Sequence, residues 1–133
     1  MGDRAVCRPE RQAGACSHGV RAVEDPALIM HLAQAGVALD VCPTSNVRTG
    51  MVPSVATHPI RMLHEASVRV TVHSDDPLPF ATTMTEELVH LHRDLGFSLS
   101  DLGRLMVTAA TPSFQPEPVR STLVRILQDA WLV

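Results

Sequence analysis

Three short strand-forming runs, separated by helix-forming stretches, constrain this chain more than any other feature. The runs are Ala15-Cys16-Ser17-His18-Gly19-Val20, Val37-Ala38-Leu39-Asp40-Val41-Cys42 and Val68-Arg69-Val70-Thr71-Val72-His73. Between the first two lies a helix signal. Asp25 suits the cap, Pro26 the first helical position and Gly36 the stop. Between the second and third, Pro43-Thr44-Ser45-Asn46 reads as a polar loop, and a helix runs from near Ser54 to Ala66, in which Pro59 marks a kink or a second start. Strands alternating with helices predict right-handed βαβ units and a parallel sheet.

After the third run the pattern is helical. Thr83 with Glu86 resembles a capping box, and Met84, Leu88, Leu91 and Leu95 share one face up to Gly96. A second helix spans 98–110 with Leu99, Leu102, Leu105 and Met106 inward. Pro112 to Pro116 breaks it, and a last helix over 118–130 presents Val119, Leu123, Ile126 and Leu127. Residues 1–14 have no periodicity and read as a poorly ordered lead-in, leaving 15–133 as one domain.

Composition closes off several functions. A hydrophobic fraction of 45% over 133 residues fits a globular domain with a real core. A net charge of -3 gives no basic field, so nucleic acid and anionic membranes are not expected partners. No apolar run approaches the ~20 residues of a membrane span, and the charged start lacks a secretory core, so a cytoplasmic protein is expected. All 11 basic residues are Arg, which excludes Schiff-base lysine chemistry and a GK[ST] phosphate loop. Cys7, Cys16 and Cys42 fit neither a disulfide framework nor a CxxC knuckle.

Chemistry concentrates where the third run ends, in His73-Ser74-Asp75-Asp76-Pro77. In parallel α/β proteins, function sits just past the carboxyl ends of strands. Adjacent carboxylates there point in different directions, so one can bind a metal while the other faces a ligand. The plainer alternative is a Ser-Asp-Asp-Pro turn that caps the next helix. His73 and Asp75 fall on one strand face, so His73 is either an addition to the site or a hydrogen-bonding substitute. His31, His58, His64, His90 and His92 read as surface or packing residues, and His18 alone carries little weight.

Four blocks in order resemble the adenosine deaminase family of metal-dependent hydrolases. They are Ser17 to Pro26 (SHGVRAVEDP), Val41 to Asn46 (VCPTSN), Ser74 to Pro77 (SDDP) and Thr83 to Glu87 (TMTEE). The resemblance covers roughly residues 17–127. It implies an α/β fold, the C-terminal part of a TIM (β/α)8 barrel. About three parallel strands with flanking helices would be present and the barrel incomplete, since a whole one needs about 250 residues.

The resemblance also implies roles. Asp75 matches the zinc-binding carboxylate at the end of the eighth strand. Asp76 matches the residue that hydrogen-bonds the purine ring. His18 matches the catalytic His of the sixth strand, which orients the metal-activated water. The implied cofactor is Zn²⁺ and the implied substrate a purine nucleoside, adenosine, deaminated to inosine and ammonia. Before His18 the sequence departs from the family, which has Gly-His-Gly preceded by an aliphatic and a basic residue. The family's His-x-His pair, third zinc His and catalytic Glu have no counterpart in this sequence. One zinc ligand is far short of the three or four a catalytic zinc needs. The expectation is a fragment inactive alone, with the missing N-terminal half as its partner. The alternatives are a catalytically dead remnant or a small domain that binds a metal or nucleoside.

Overall fold

A computed structural model of the chain describes residues 15–17, 19–111, 113 and 115–131. The expected lead-in, 1–14, lies outside the described residues. Strands β1 (Ala15–Ser17), β2 (Ala38–Val41) and β3 (Arg69–Val72) form a parallel sheet in the order β1-β2-β3. The register sets Ser17 beside Asp40, Asp40 beside Thr71 and Val41 beside Val72. All three strands therefore end at one edge. The chain runs from a 3-10 turn (Gly19–Glu24) into helix α1 (Pro26–Ala35) between the first two strands. Helix α2 (Pro43–Arg48), a short 3-10 turn (Val55–Thr57) and helix α3 (Ile60–Glu65) lie between the second and third. After β3 come α4 (Pro77–Phe80), α5 (Met84–Leu95), α6 (Leu99–Ala110) and α7 (Glu117–Trp131).

Local chemistry explains most boundaries. Asp25 accepts the N–H groups of Ala27 and Leu28, and Gly36 ends α1 with a left-handed φ of 66°. Thr83 accepts the Glu86 N–H at the start of α5. Ser98 and Asp101 cap α6 reciprocally. The strand alternation sorts side chains by face. Leu39, Val41, Val70 and Val72 turn to the helices and join Leu63, Leu91, Phe97, Leu102 and Leu105 in one buried core. Gly19 packs closely beside that core: a Cβ there would lie 2.5 Å from a Leu39 methyl, which would have to shift. Among the described residues no helix is long and apolar enough to cross a membrane.

Three expectations change. Pro43 to Asn46 is the first turn of a helix, not a polar loop, and Ser45 and Asn46 are buried. Leu99 of α6 is exposed, not inward, while Pro59 marks the expected second start, between the 3-10 turn and α3. On α7, Val119, Leu123 and Ile126 face outward, while Arg120, Val124, Leu127 and Trp131 are the half-buried positions. Trp131 packs against the core, and burying its large ring outweighs burying the smaller side chains of the other face.

Candidate functional site

The carboxyl edge of β2 and β3 carries the polar groups. Asp40 and Thr71 are neighbours in register, and Thr71 and His73 share a face two residues apart. The Thr71 hydroxyl donates to the Asp40 carboxylate. Its single proton is then spent, so the 3.1 Å contact with His73 is donated by the His73 Nε2–H. That nitrogen lies 3.5 Å from the same Asp40 oxygen. His73 is thus a hydrogen-bonding member of the edge, half exposed. Its own backbone N–H continues the ladder to the Val41 carbonyl at 2.9 Å.

Two residues further, the backbone bends. Asp75 has φ 57°, in the left-handed region. Such a conformation costs a non-glycine residue about 1 kcal/mol, and Asp tolerates it better than most. The bend is held from α2. The Ser45 hydroxyl donates to Asp75 Oδ2 at 2.7 Å. The Cys42 thiol at the N-cap of α2 lies near the same bend, close enough for the Asp75 charge to act on it. Asp76 follows at the N-cap of α4, but its side chain makes no cap hydrogen bond. Asp75 and Asp76 are both exposed to solvent, at one edge and on successive residues. His18 lies outside the described residues; the flanking Ser17 closes β1 beside Asp40.

Beneath this edge are three groups to which the sequence alone assigned no site role. Glu87 of α5 is fully buried. One carboxylate oxygen accepts the Thr44 N–H at 3.2 Å and the other the Thr82 hydroxyl at 2.7 Å. Position 87 falls on the same helical side as Met84, Leu88 and Leu91, and that periodicity was the available signal. Cys42 is buried, and its thiol is pushed up to about 12, first by burial and then by the negative charges of Asp75, Glu87 and Asp40. At neutral pH it is a thiol, neither a nucleophile nor a thiolate ligand. His58 is also buried, which selects packing over the surface from the two roles open to it. Its Nδ1 accepts the Ile60 N–H at 3.1 Å, so the proton sits on Nε2, which donates to Asn46 Oδ1 at 3.1 Å. Burial pushes its pKa down to about 4, and the ring is neutral at pH 7. This neutral His pins the far side of α2 to the segment before α3.

Among the described residues no group of three or more His, Cys, Asp or Glu converges on a metal position. The arrangement offers one carboxylate, Asp75, oriented by a hydroxyl, and a second, Asp76, beside it.

Comparison with known proteins places this geometry. The sequence profile of the adenosine deaminase family matches residues 7–130. The adenine deaminase of Rhizobium meliloti (strain 1021) is 47% identical over 111 residues, covering 84% of this chain and 34% of that protein. The crystal structure of an adenine deaminase from Arthrobacter aurescens superposes with a TM-score of 0.83 at 29% identity, covering 88% of this chain and 36% of that one. An amidohydrolase from Burkholderia ambifaria, solved with bound Zn, shares the fold with a TM-score of 0.71 at 20% identity, over 87% of this chain and 35% of that one. The chain thus spans about a third of the length of the relatives it matches.

Proposed function

We infer that this chain, which belongs to the adenosine deaminase family, forms the carboxyl-terminal third of a zinc-dependent aminopurine deaminase whose substrate is adenine. Three parallel strands covered by helices on one face are the closing segment of an incomplete (β/α)8 barrel, and the edge bearing Asp75 is its catalytic edge. The observation that carries this is the Asp75 carboxylate. It is exposed past a strand end, strained in φ, and held through Oδ2 by Ser45. Strain of this kind persists where surrounding structure imposes it, and it clusters at functional sites.

Asp75 fits one corner of a zinc site. It is a carboxylate donor, and Oδ1 takes no hydrogen bond among the described residues. Zinc binds such oxygens but needs three or four protein ligands, so the remaining ligands come from polypeptide outside this chain. When bound, zinc supplies a water acidified toward neutrality that can attack a ring carbon. The chain's own residues bind and orient. Asp76, uncommitted as a cap, hydrogen-bonds a purine ring nitrogen and shares a proton with it as the ring loses aromaticity. His18 orients the attacking water and stabilises developing charge. His73, tied to Thr71 beside Asp40, shapes the floor of the edge.

The overall reaction adds water across C6 of adenine. A C6–O bond forms, the C6–N6 bond breaks, and hypoxanthine and ammonia leave. The resemblance in the sequence points to adenosine; the naming of the Rhizobium and Arthrobacter relatives supports the free base instead.

The test joins this chain to the first two-thirds of the Rhizobium meliloti relative and follows adenine loss at added zinc. Hypoxanthine should appear with the joined protein and not with the chain alone. Adenosine should be turned over more slowly than adenine. Asp75→Asn should abolish turnover in the joined protein. Deamination by the chain alone, or full activity of Asp75→Asn, would overturn the assignment.

A further inference from the structure

We propose that Glu87 is a positioning residue for this site: its buried carboxylate fixes the first turn of α2, and that turn fixes Asp75. Glu87 is fully buried and forms no ion pair among the described residues. A buried carboxylate without a counter-charge is costly unless its oxygens are hydrogen-bonded. Here each oxygen has one donor, the Thr44 N–H and the Thr82 hydroxyl. The Thr44 N–H is one of the first-turn donors that a helix leaves without an internal partner. The N-cap side chain, Cys42, makes no capping bond, so Glu87 performs the capping from 43 residues away. The Thr44 hydroxyl is buried without a partner, which leaves the N–H as the polar tie of that side chain's residue to α5.

The turn so anchored carries the group that holds Asp75. The Ser45 hydroxyl donates to its carboxylate. α5 is itself fixed in the core by Leu91, fully buried one turn along the same side. A continuous path therefore runs from the core through Glu87, Thr44 and Ser45 to Oδ2 of Asp75. A leucine at 87 would fill the space without directing the turn. A carboxylate with two named donors directs it.

The structural half of this proposal is independent of the deaminase reading; its catalytic meaning rests on that reading. The decisive variant is Glu87→Gln in the chain, read by amide NMR. Gln keeps the volume but brings an NH₂ donor toward two existing donors, so one bond is lost. The Thr44 amide should exchange at least about ten-fold faster, as a lost bond of about 1.4 kcal/mol requires. The Asp75 and Cys42 amides should shift, while those of Leu102 and Leu105 stay in place. In a Ser45→Ala background, Glu87→Gln should no longer move Asp75. A Glu87 that merely fills the core would change Thr44 and leave Asp75 unmoved, and that result overturns the proposal. If Glu87→Gln does not fold, Thr82→Val removes one donor and decides the question on the same resonances. In the joined protein, Glu87→Gln should lower kcat about 10–100-fold, as loss of a ligand's supporting partner does, with KM little changed. If the unaltered joined protein fails to deaminate, the functional reading falls while the NMR outcome still decides the role of Glu87.

Discussion

Acid should unfold this protein through His58. In the folded chain the ring is neutral, with the Ile60 N–H on Nδ1 and its own Nε2–H on Asn46. A second proton has to go on Nδ1, which breaks the Ile60 bond and places a charge in the core. The pKa is accordingly pushed down to about 4 by burial, from an ordinary value of 6.5. The unfolded chain takes up this proton near pH 6.5, the folded chain only near pH 4. Between those values the unfolded state binds more protons, so stability falls as pH falls. The contribution is level above about pH 6.5. At pH 5 the loss is about 2 kcal/mol, and it approaches about 3 kcal/mol at pH 4. Urea unfolding at pH 7.5, 6, 5 and 4.5 measures it. Other groups also titrate in acid, so the control is His58→Asn. Its Oδ1 can still accept the N–H two residues on, but it does not ionise. The variant should be less stable at pH 7.5 and lose about 2 kcal/mol less than the original between pH 7.5 and 5. Parallel pH curves for the two proteins, or a His58 ring resonance that titrates near pH 6.5, would refute the reasoning.

Four other perturbations have defined outcomes. Gly19→Ala puts a methyl against the fully buried Leu39 and should cost about 1–3 kcal/mol in urea unfolding, with part recovered by Leu39→Ala in the same chain. Phe97→Ala removes a buried ring together with its contact to the Arg61 guanidinium, and thermal unfolding should report a loss of about 3–5 kcal/mol. Ile126→Lys, at a position 54% exposed, should change stability by less than about 0.5 kcal/mol in urea unfolding. Ser45→Ala should weaken zinc binding by the joined protein about 10–100-fold by competitive chelator titration, with its unfolding midpoint little changed.

The sequence made the architecture readable because its signals are one-dimensional. Asp25-Pro26 and Gly36 bracket α1, Ser98 opens α6, and β-branched runs end at β2 and β3. Each depends on residues a few positions apart. Helix α2 was not readable this way. Pro-Thr-Ser-Asn is turn chemistry taken alone, and the donor that makes it a helix start is satisfied by Glu87, supplied from another helix. The same holds for α7. Its apolar residues cover a wide arc, so either side satisfies the helical period, and only the packing of Trp131 selects one.

The carboxylates divide along the same line. Asp75 and Asp76 stand out in the sequence because two adjacent carboxylates follow a strand end in the chain itself. Glu87 does not, because a charged residue following Glu86 reads as surface. Its burial depends on two donors, Thr44 and Thr82, one of them remote in sequence. A polar residue inside an apolar helical period is therefore the sign to look for, since burying it without partners costs several kcal/mol. In this fold that sign leads from the core to the carboxylate at the edge. Strain at Asp75 can persist because Ser45 of α2 holds its side chain. The stability that maintains the edge lies under it, in α2 and α5, rather than in the His73 to Pro77 segment that displays it.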